Sequence, residues 1–404
     1  MKQIIVIGAG QAGASLVAKL RGLGCRDAIT LIGSEAVPPY QRPPLSKAYL
    51  LGEMPAERLY LRPADYYAEH DITLRLGETV TAIDTGIDTG AQTVSLGGDV
   101  LRYDALVLTT GSTPRRLPAS IGGALGGVFT LRDLSDVDAM RPYFTPGKRV
   151  VIVGGGYIGL EGAAVAAKLG LDVTVLEMAP RILQRVAAPE TSAFFRKLHS
   201  DHGVKILEST GLDRLLGEGH VTAARLSDGR EIPADFVIVG VGITPATGLA
   251  EAAGIALDNG IKTDAQGRTS APNVWAAGDC ASFPTPGGQM RLESVPNAID
   301  QAEVVAANLL GAEKPYIPEP WFWSDQFDIK LQIAGLNSGY DHIVTRQTEG
   351  ATSFWYYKGA TLLAVDAMND PRAFMVAKRL LAMGKSPAPE AVSNPETDLK
   401  VLLK

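Results

Sequence analysis

KRVVIVGGGYIGLEGAAVAAKLGLDVTVLE, Lys148 to Glu177, is the stretch whose reading decides the fold. Arg149 to Val153 is apolar and β-branched, as a buried strand requires, and Gly154, Gly156 and Gly159 form a G-x-G-x-x-G turn. Tyr157 to Leu169 reads as a helix that Gly170 stops, and Asp172 to Glu177 is the next strand. The first glycine permits the tight turn, the second lets a pyrophosphate approach backbone N–H groups, and the third lets helix and strand touch. The helix start then faces the phosphates with its partial positive charge. Glu177 closes the second strand, where a carboxylate accepts hydrogen bonds from a ribose 2′-hydroxyl and repels a 2′-phosphate. The expectation is NADH over NADPH, with Arg181 and Arg185 as the nearby cations that would weaken it.

Lys2 to Gly33, KQIIVIGAGQAGASLVAKLRGLGCRDAITLIG, repeats this plan: strand Ile4 to Ile7, glycines Gly8, Gly10 and Gly13, a helix to about Leu23, a strand from Ala28 to Ile32, and the acid Glu35. Two such units mean two dinucleotides, or one dinucleotide and a relic; six glycines and both acids favour two ligands. At 404 residues the chain exceeds what one hydrophobic core supports, so two or three domains are expected. The net charge of −6, with no long basic run, argues against nucleic acid as a partner. Cys25 and Cys280 are the only cysteines and lack C-x-x-C spacing, which speaks against a redox dithiol motif and a cysteine-based metal or iron–sulfur site. With the first strand beginning by Gln3 and no apolar run of about 20 residues, no signal peptide or membrane span is expected, and a cytoplasmic setting is.

Between these units, PPYQRPPLSKAYLLGE, Pro38 to Glu53, is too proline-rich for regular structure and rich in aromatic and basic groups. Arg42 suits a pyrophosphate, and Lys47 suits negative charge on a reduced ring. Thr73 to Leu108 reads as a small meander returning to a parallel strand that ends in Thr110-Gly111; Val221 to Val239 repeats that plan and ends in VIVGVGITP, Val237 to Pro245. Val274 to Ala281 is a further strand stopping at Gly278-Asp279, where an acid can bind sugar-like hydroxyls or cap a helix. Helices are expected at Leu131 to Tyr143, Thr191 to His202, Leu292 to Leu310 and Pro371 to Met383. The aromatic tail, with Trp321, Trp323 and Trp355, reads as antiparallel strands that either pack a small cap or receive a partner. His199 and His202 share a helical face around Asp201, a pattern that fits a solvated helix end better than a metal site, and no metal is expected.

Over nearly its whole length the sequence resembles the FAD-dependent, NADH-dependent ferredoxin reductases of the putidaredoxin reductase type, within the glutathione reductase-like class. The match is carried by GAGQAG (Gly8 to Gly13), YQRPPLSKAYL (Tyr40 to Leu50), TTG (Thr109 to Gly111), GGGYIGLE (Gly154 to Glu161), GDCA (Gly278 to Ala281), ESVPNAIDQA (Glu293 to Ala302) and PWFWSDQ (Pro320 to Gln326). The resemblance implies an α/β fold with two Rossmann-like domains, one inserted in the other, and a C-terminal α+β interface domain. Residues 1–112 and 245–320 would bind FAD, 113–244 NADH, and 321–404 would form the interface. FAD would be touched by Ala12, Ser34 or Glu35, Arg42, Lys47, Val80, Gly111, Arg132, Asp279 and Val295, with the turn glycines Gly8, Gly10 and Gly13. NADH would be touched by Gly156, Ile158, Glu177 and Gly242, with Gly154 and Gly159. Lys47 and Glu161 would be the catalytic pair, and Arg291, Lys378 and Lys400, with Trp323 near the electron exit, would meet an acidic partner.

Disulfide-using relatives need a redox cysteine in the loop that here reads Arg42 to Leu50, and this loop has none. The expected reaction is hydride transfer from NADH to FAD, then single electrons to a 2Fe-2S ferredoxin supplying a haem-thiolate monooxygenase, by a monomer or weak homodimer. The alternatives are a reductase of a rubredoxin or of a ring-hydroxylating dioxygenase ferredoxin, a peroxide-forming NADH oxidase, and a redox-sensing NADH-binding flavoprotein resembling apoptosis-inducing factor.

Overall fold

A computed structural model describes residues 1–87 and 89–404. Contacts group the chain into two compact units: Met1–Gln41 with Ala56–Thr113 and Thr244–Pro320, and Arg42–Pro55 with Pro114–Ile243 and Trp321–Lys404.

The first unit is built on a five-stranded parallel sheet in the order Val274–Ala276, Ala105–Leu108, Gln3–Ile7, Ala28–Gly33, Ile72–Leu76. Near-continuous runs of Ile, Val and Leu make these strands, as sheets covered on both faces require. Helix Gln11–Gly22 lies against helix Val295–Leu309, and Ala12, Leu16 and Leu20 share a buried cluster with Ala298, Ala302, Val305 and Ala306. The alanines allow close approach, and each fully buried Leu or Val contributes roughly 1.5–3 kcal/mol. Ser294 caps the second helix by accepting from Asn297 N, with Pro296 in the first turn, so the helix starts at Val295 rather than at Leu292. The meander forms as three antiparallel strands, Val80–Thr85, Gln92–Leu96 and Asp99–Arg102.

In the second unit the same parallel plan recurs in the order Lys205–Leu207, Asp172–Leu176, Arg149–Val153, Phe236–Val239, Val128–Thr130. Helices Tyr157–Lys168 and Pro189–Asp201 flank it, and an antiparallel meander, Leu212–Leu216, Ala223–Leu226 and Glu231–Pro233, precedes the return strand. The helix expected from Leu131 begins only at Leu134, because Asp133 caps it by accepting from Asp136 N. Residues from Trp321 onward form a five-stranded antiparallel sheet in the order Trp321–Gln326, Ile329–Gly335, Thr361–Met368, Ala351–Lys358, His342–Thr348. Along Ala351–Lys358, Trp355 and Tyr357 join the cluster under helix Pro371–Ala382, while Phe354 and Tyr356 join the one holding Leu160, Ile182 and Phe195. That two-residue alternation seats the sheet between its own helix and the helices of the nucleotide-type layer. Trp355 is fully buried and belongs to packing. No helix among the described residues is long and apolar enough to cross a membrane.

Candidate functional site

Both G-x-G-x-x-G turns leave their sheets in the same way. Gly8 and Gly154 have φ of +112° and +111°, a region L side chains rarely enter, and a Cβ there would lie 2.2 Å from Thr109 O or 2.4 Å from Gly240 O. A Cβ on Gly13 or Gly159 would meet the carbonyl of its own unit's first glycine at 2.1 or 2.2 Å, so helix and turn touch only through glycine. Gly10 and Gly156 are different: a Cβ on either meets nothing within 4 Å, and neither caps its helix with a side chain. Helices Leu134–Met140, Val295–Leu309 and Pro371–Ala382 are each capped by an Asp or Ser side chain. The two glycine-started helices thus present uncapped first-turn N–H groups to open space, a cradle that fits a pyrophosphate.

In the first unit, the turns at Gly111 and Asp279, two of the expected FAD contacts, border this cradle. A Cβ on Gly278 would lie 2.9 Å from Ala12 Cβ, which sets Asp279 beside the first helix; its Oδ2 accepts from Ser112 Oγ at 2.9 Å. Gly278 N donates to Gln301 Oε1, tying the Asp279 turn to helix Val295–Leu309, whose first residue is Val295. Glu35 follows strand Ala28–Gly33 and accepts from Tyr40 Oη at 2.5 Å, Ser34 is exposed, Val80 opens the meander, and Gly111, at φ +69°, follows the return strand. Arg291 is less available than its sequence suggests. Its side chain is only 10% exposed, pairs with Glu293, and donates to the carbonyls of Asn259 and Asp279.

Arg42, Lys47 and Arg132 belong to the second unit. Arg42 Nη1 donates to Arg132 O at 2.8 Å, and the short 3-10 turn Pro43–Ser46 carries the chain to Lys47. Lys47 Nζ lies 2.7 Å from Glu161 Oε2, and Glu161, on helix Tyr157–Lys168, is only 2% exposed. Ser46 Oγ also donates to Oε2, and Ser324 Oγ donates to Oε1 at 2.6 Å. This buried carboxylate therefore does far more than favour a helix dipole: an ammonium and two hydroxyls converge on it. The pattern reading missed Ser46, Ser324 and Gln326. For the last two the signal lay in WFWSDQ, where Ser324 and Gln326 occupy alternate, fully buried positions of a strand that opens with three aromatic residues.

Glu177 accepts from Gly155 N at 2.9 Å through Oε2 and from Ala179 N at 2.7 Å through Oε1, which fixes the carboxylate at the strand's carboxyl edge with lone pairs left for ribose hydroxyls. The Arg181 guanidinium donates to Ser192 Oγ at 2.6 Å and to Gln184 O, and Arg185 reaches Gly242, 3.5 Å from where a Cβ would sit. Ile158 is 45% exposed. On the C-terminal sheet Trp323 stacks on Trp321 at 5.5 Å, and Lys378 Nζ sits 4.9 Å from the centre of the Trp321 ring; Lys400 is exposed in the terminal 3-10 turn Leu399–Leu403.

His199 is not part of a solvated helix end: it is fully buried and bonded to Gln326, because strand Trp321–Gln326 covers that end of the helix, whereas His202 is exposed and stacks on Phe327. Among the described residues no group of three His, Cys, Asp or Glu is arranged to hold a metal ion. Cys25 and Cys280 are free and buried, and burial pushes the Cys280 thiol upward, away from the reactive thiolate.

The chain matches the pyridine nucleotide-disulphide oxidoreductase family over residues 2–302 and the reductase C-terminal domain over residues 321–403. It is 42% identical to rhodocoxin reductase of Rhodococcus erythropolis, across 99% of this chain and 94% of that protein. To putidaredoxin reductase CamA of Pseudomonas putida it is 41% identical, across 99% and 96%. The solved covalent putidaredoxin reductase–putidaredoxin complex superimposes with a TM-score of 0.95 at 40% identity, covering 100% of this chain and 98% of that one.

Proposed function

We propose how electrons pass through this chain, which belongs to the pyridine nucleotide-disulphide oxidoreductase family and, within it, to the FAD-dependent NADH:ferredoxin reductases of the putidaredoxin reductase type. It is an oxidoreductase that uses FAD and NADH. FAD held by these residues would supply two-electron acceptance of a hydride from NADH and one-electron release, so that one NADH would reduce two molecules of a one-electron carrier and leave one proton. The carrier is a 2Fe-2S ferredoxin, and the terminal acceptor is a haem-thiolate monooxygenase. The observation that supports direct delivery is the loop Arg42 to Leu50: it carries Arg42, Ser46 and Lys47 but no cysteine, and both cysteines of the chain are buried elsewhere.

The residues divide by chemistry. Gly8, Gly10 and Gly13 open the FAD pyrophosphate cradle, Glu35 and Asp279 accept from its hydroxyls, and Ala12, Val80, Gly111 and Val295 line it. Arg42, Lys47 and Arg132 supply positive charge to FAD. Gly154, Gly156 and Gly159 cradle the NADH pyrophosphate, Glu177 accepts from the ribose, and Ile158 and Gly242 line that ligand. Glu161 anchors Lys47, holding its ammonium in one place. Lys378, with Lys400, meets an acidic ferredoxin near Trp323, in a cytoplasmic enzyme that works as a monomer or weak homodimer. Arg291 contributes mainly by bracing the Asp279 turn.

Anaerobic titration tests the core of this reading: stoichiometric NADH bleaches the flavin band and NADPH bleaches it poorly, whereas a protein bleached by neither overturns it. Lys378→Glu tests the partner. It slows ferredoxin reduction ~5-fold at low salt, with the gap closing as salt rises, and leaves NADH-to-ferricyanide turnover unchanged.

A further inference from the structure

Glu161 ends a file of buried polar groups drawn from three elements. His199 Nε2 lies 2.8 Å from Gln326 Oε1, Gln326 Nε2 lies 3.2 Å from Ser324 Oγ, and Ser324 Oγ lies 2.6 Å from Glu161 Oε1. His199, Gln326 and Ser324 are fully buried. Phe195, on the helix of His199, and Leu331, on the strand paired with Ser324, both belong to the surrounding apolar cluster. Apolar side chains would fill such positions without any need for partners, whereas each buried polar group left unsatisfied is costly.

Valence fixes the direction of the file. A carboxylate only accepts, so the single hydroxyl proton of Ser324 goes to Glu161. Ser324 Oγ must then accept from the Gln326 amide, which turns Gln326 Oε1 toward His199 and requires a proton on His199 Nε2. His199 Nδ1 is left as a bare lone pair, and it is indeed buried without a partner among the described residues. A second proton there would have no acceptor. Among the described residues the ring meets Gln326 and Phe327 from the strand and turn and His202 from its own helix, and no carboxylate that would favour imidazolium pairs with it. Burial accordingly lowers the His199 pKa to about 4.

We propose that Ser324, Gln326 and His199 are positioning residues for the reductase reaction: a one-way file of donors that satisfies Glu161 Oε1 and leaves Oε2 turned to Lys47. This rests on the reading of Lys47 and Glu161 as the working pair. Without the histidine end, the Gln326 amide is free to flip, Ser324 donates to it instead, and Glu161 loses the bond that fixes its plane.

Two measurements test it. In 15N-histidine-labelled holoenzyme, His199 shows the Nε2–H tautomer and does not titrate between pH 5.5 and 8.5; an Nδ1–H tautomer, or a midpoint near 6.5, overturns the file. In anaerobic stopped flow, Ser324→Ala and Gln326→Leu slow NADH-driven flavin reduction ~10-fold and ~5-fold, His199→Phe slows it ~3-fold, and His199→Gln, which keeps a donor, restores it. In a Glu161→Gln background, itself ~10-fold slower, Ser324→Ala adds nothing further. Variants that lose thermal stability but keep the wild-type rate, or losses that add to Glu161→Gln, overturn the positioning role. A Glu161→Gln enzyme reduced at the wild-type rate removes the working-pair reading itself and the proposal with it, whatever the tautomer.

Discussion

The amino-terminal and middle βαβ units share their turn, the order of four of their five parallel strands and their uncapped helix start, yet their helices do different work. Two residues beyond the third glycine the first helix carries Ser15, which accepts from Gln11 Nε2, and the second carries Glu161, buried under a serine and paired with Lys47. The first helix lies against another helix of its own unit through small apolar residues; the second supports a polar strand that reaches into its side. The glycines thus define where phosphates go, while reactivity is set by what each helix is packed against. The sheets diverge similarly at one edge. Beside the return strand, the first unit uses Val274–Ala276, which leads to Asp279, and the second uses Val128–Thr130, which leads to Arg132.

The comparison breaks most visibly at the third glycines. Gly13→Ala and Gly159→Ala each press a methyl against a carbonyl and cost about 3 kcal/mol locally. If the units hold separate ligands, Gly13→Ala yields colourless protein, while Gly159→Ala stays yellow but is not bleached by NADH. Loss of colour in both, read by visible absorbance, would make the units interdependent.

A smaller effect separates them through buried carboxyls. Asp366 is fully buried in the second unit, where it accepts from Tyr356 and Thr191; burial raises its pKa to about 6 against the pull of those hydroxyls. Because the folded protein holds this proton more tightly than the unfolded chain, the stabilisation is full below about pH 4 and is lost as pH rises through about 6. Asp366→Asn should therefore gain about 2 kcal/mol on the wild type at pH 8 and little at pH 4, as measured by urea unfolding at both pH values. His199 works in the opposite sense: its lowered pKa makes stability fall as pH drops from about 6.5 toward 4, so His199→Gln is less acid-sensitive in that window.

The mildest test concerns the closing acids. Glu177→Gln should weaken NADH ~5-fold in KM and narrow the preference over NADPH by a similar factor, since the amide no longer repels a 2′-phosphate while Arg181 stays engaged with Ser192. An unchanged ratio would assign nucleotide choice to Arg185 and the Gly242 turn instead.

Much of this was legible in the chain. Turn glycines, apolar strands and closing acids are local requirements of the backbone, so Lys148 to Glu177 could be read without any partner in view. The cysteine-free loop was equally plain, as was the change of character at Trp321. What escaped was non-local. Ser46 and Ser324 lie 115 and 163 residues from the Glu161 they serve, and although the alternation in WFWSDQ marks Ser324 as inward-facing, nothing near either names Glu161 as its partner. His199 misled for the same reason: its own helix reads as exposed at that end, and only the strand from Trp321 buries it. Arg291 is a third case: its charge is engaged by two backbone carbonyls and Glu293, contacts that its own stretch of sequence does not announce.

The exchanged edge strands also set an order of assembly. A chain emerging from the ribosome has all five strands of the second unit's parallel sheet once Val239 is out, whereas the first unit, begun at Gln3, must wait for Val274–Ala276 and then for helix Val295–Leu309. Until then Ala105–Leu108 is a bare apolar edge and the face of helix Gln11–Gly22 is uncovered. The sheet started first is finished last, which makes the interval between Leu108 and Leu309 the period in which a nascent chain most needs protection from aggregation.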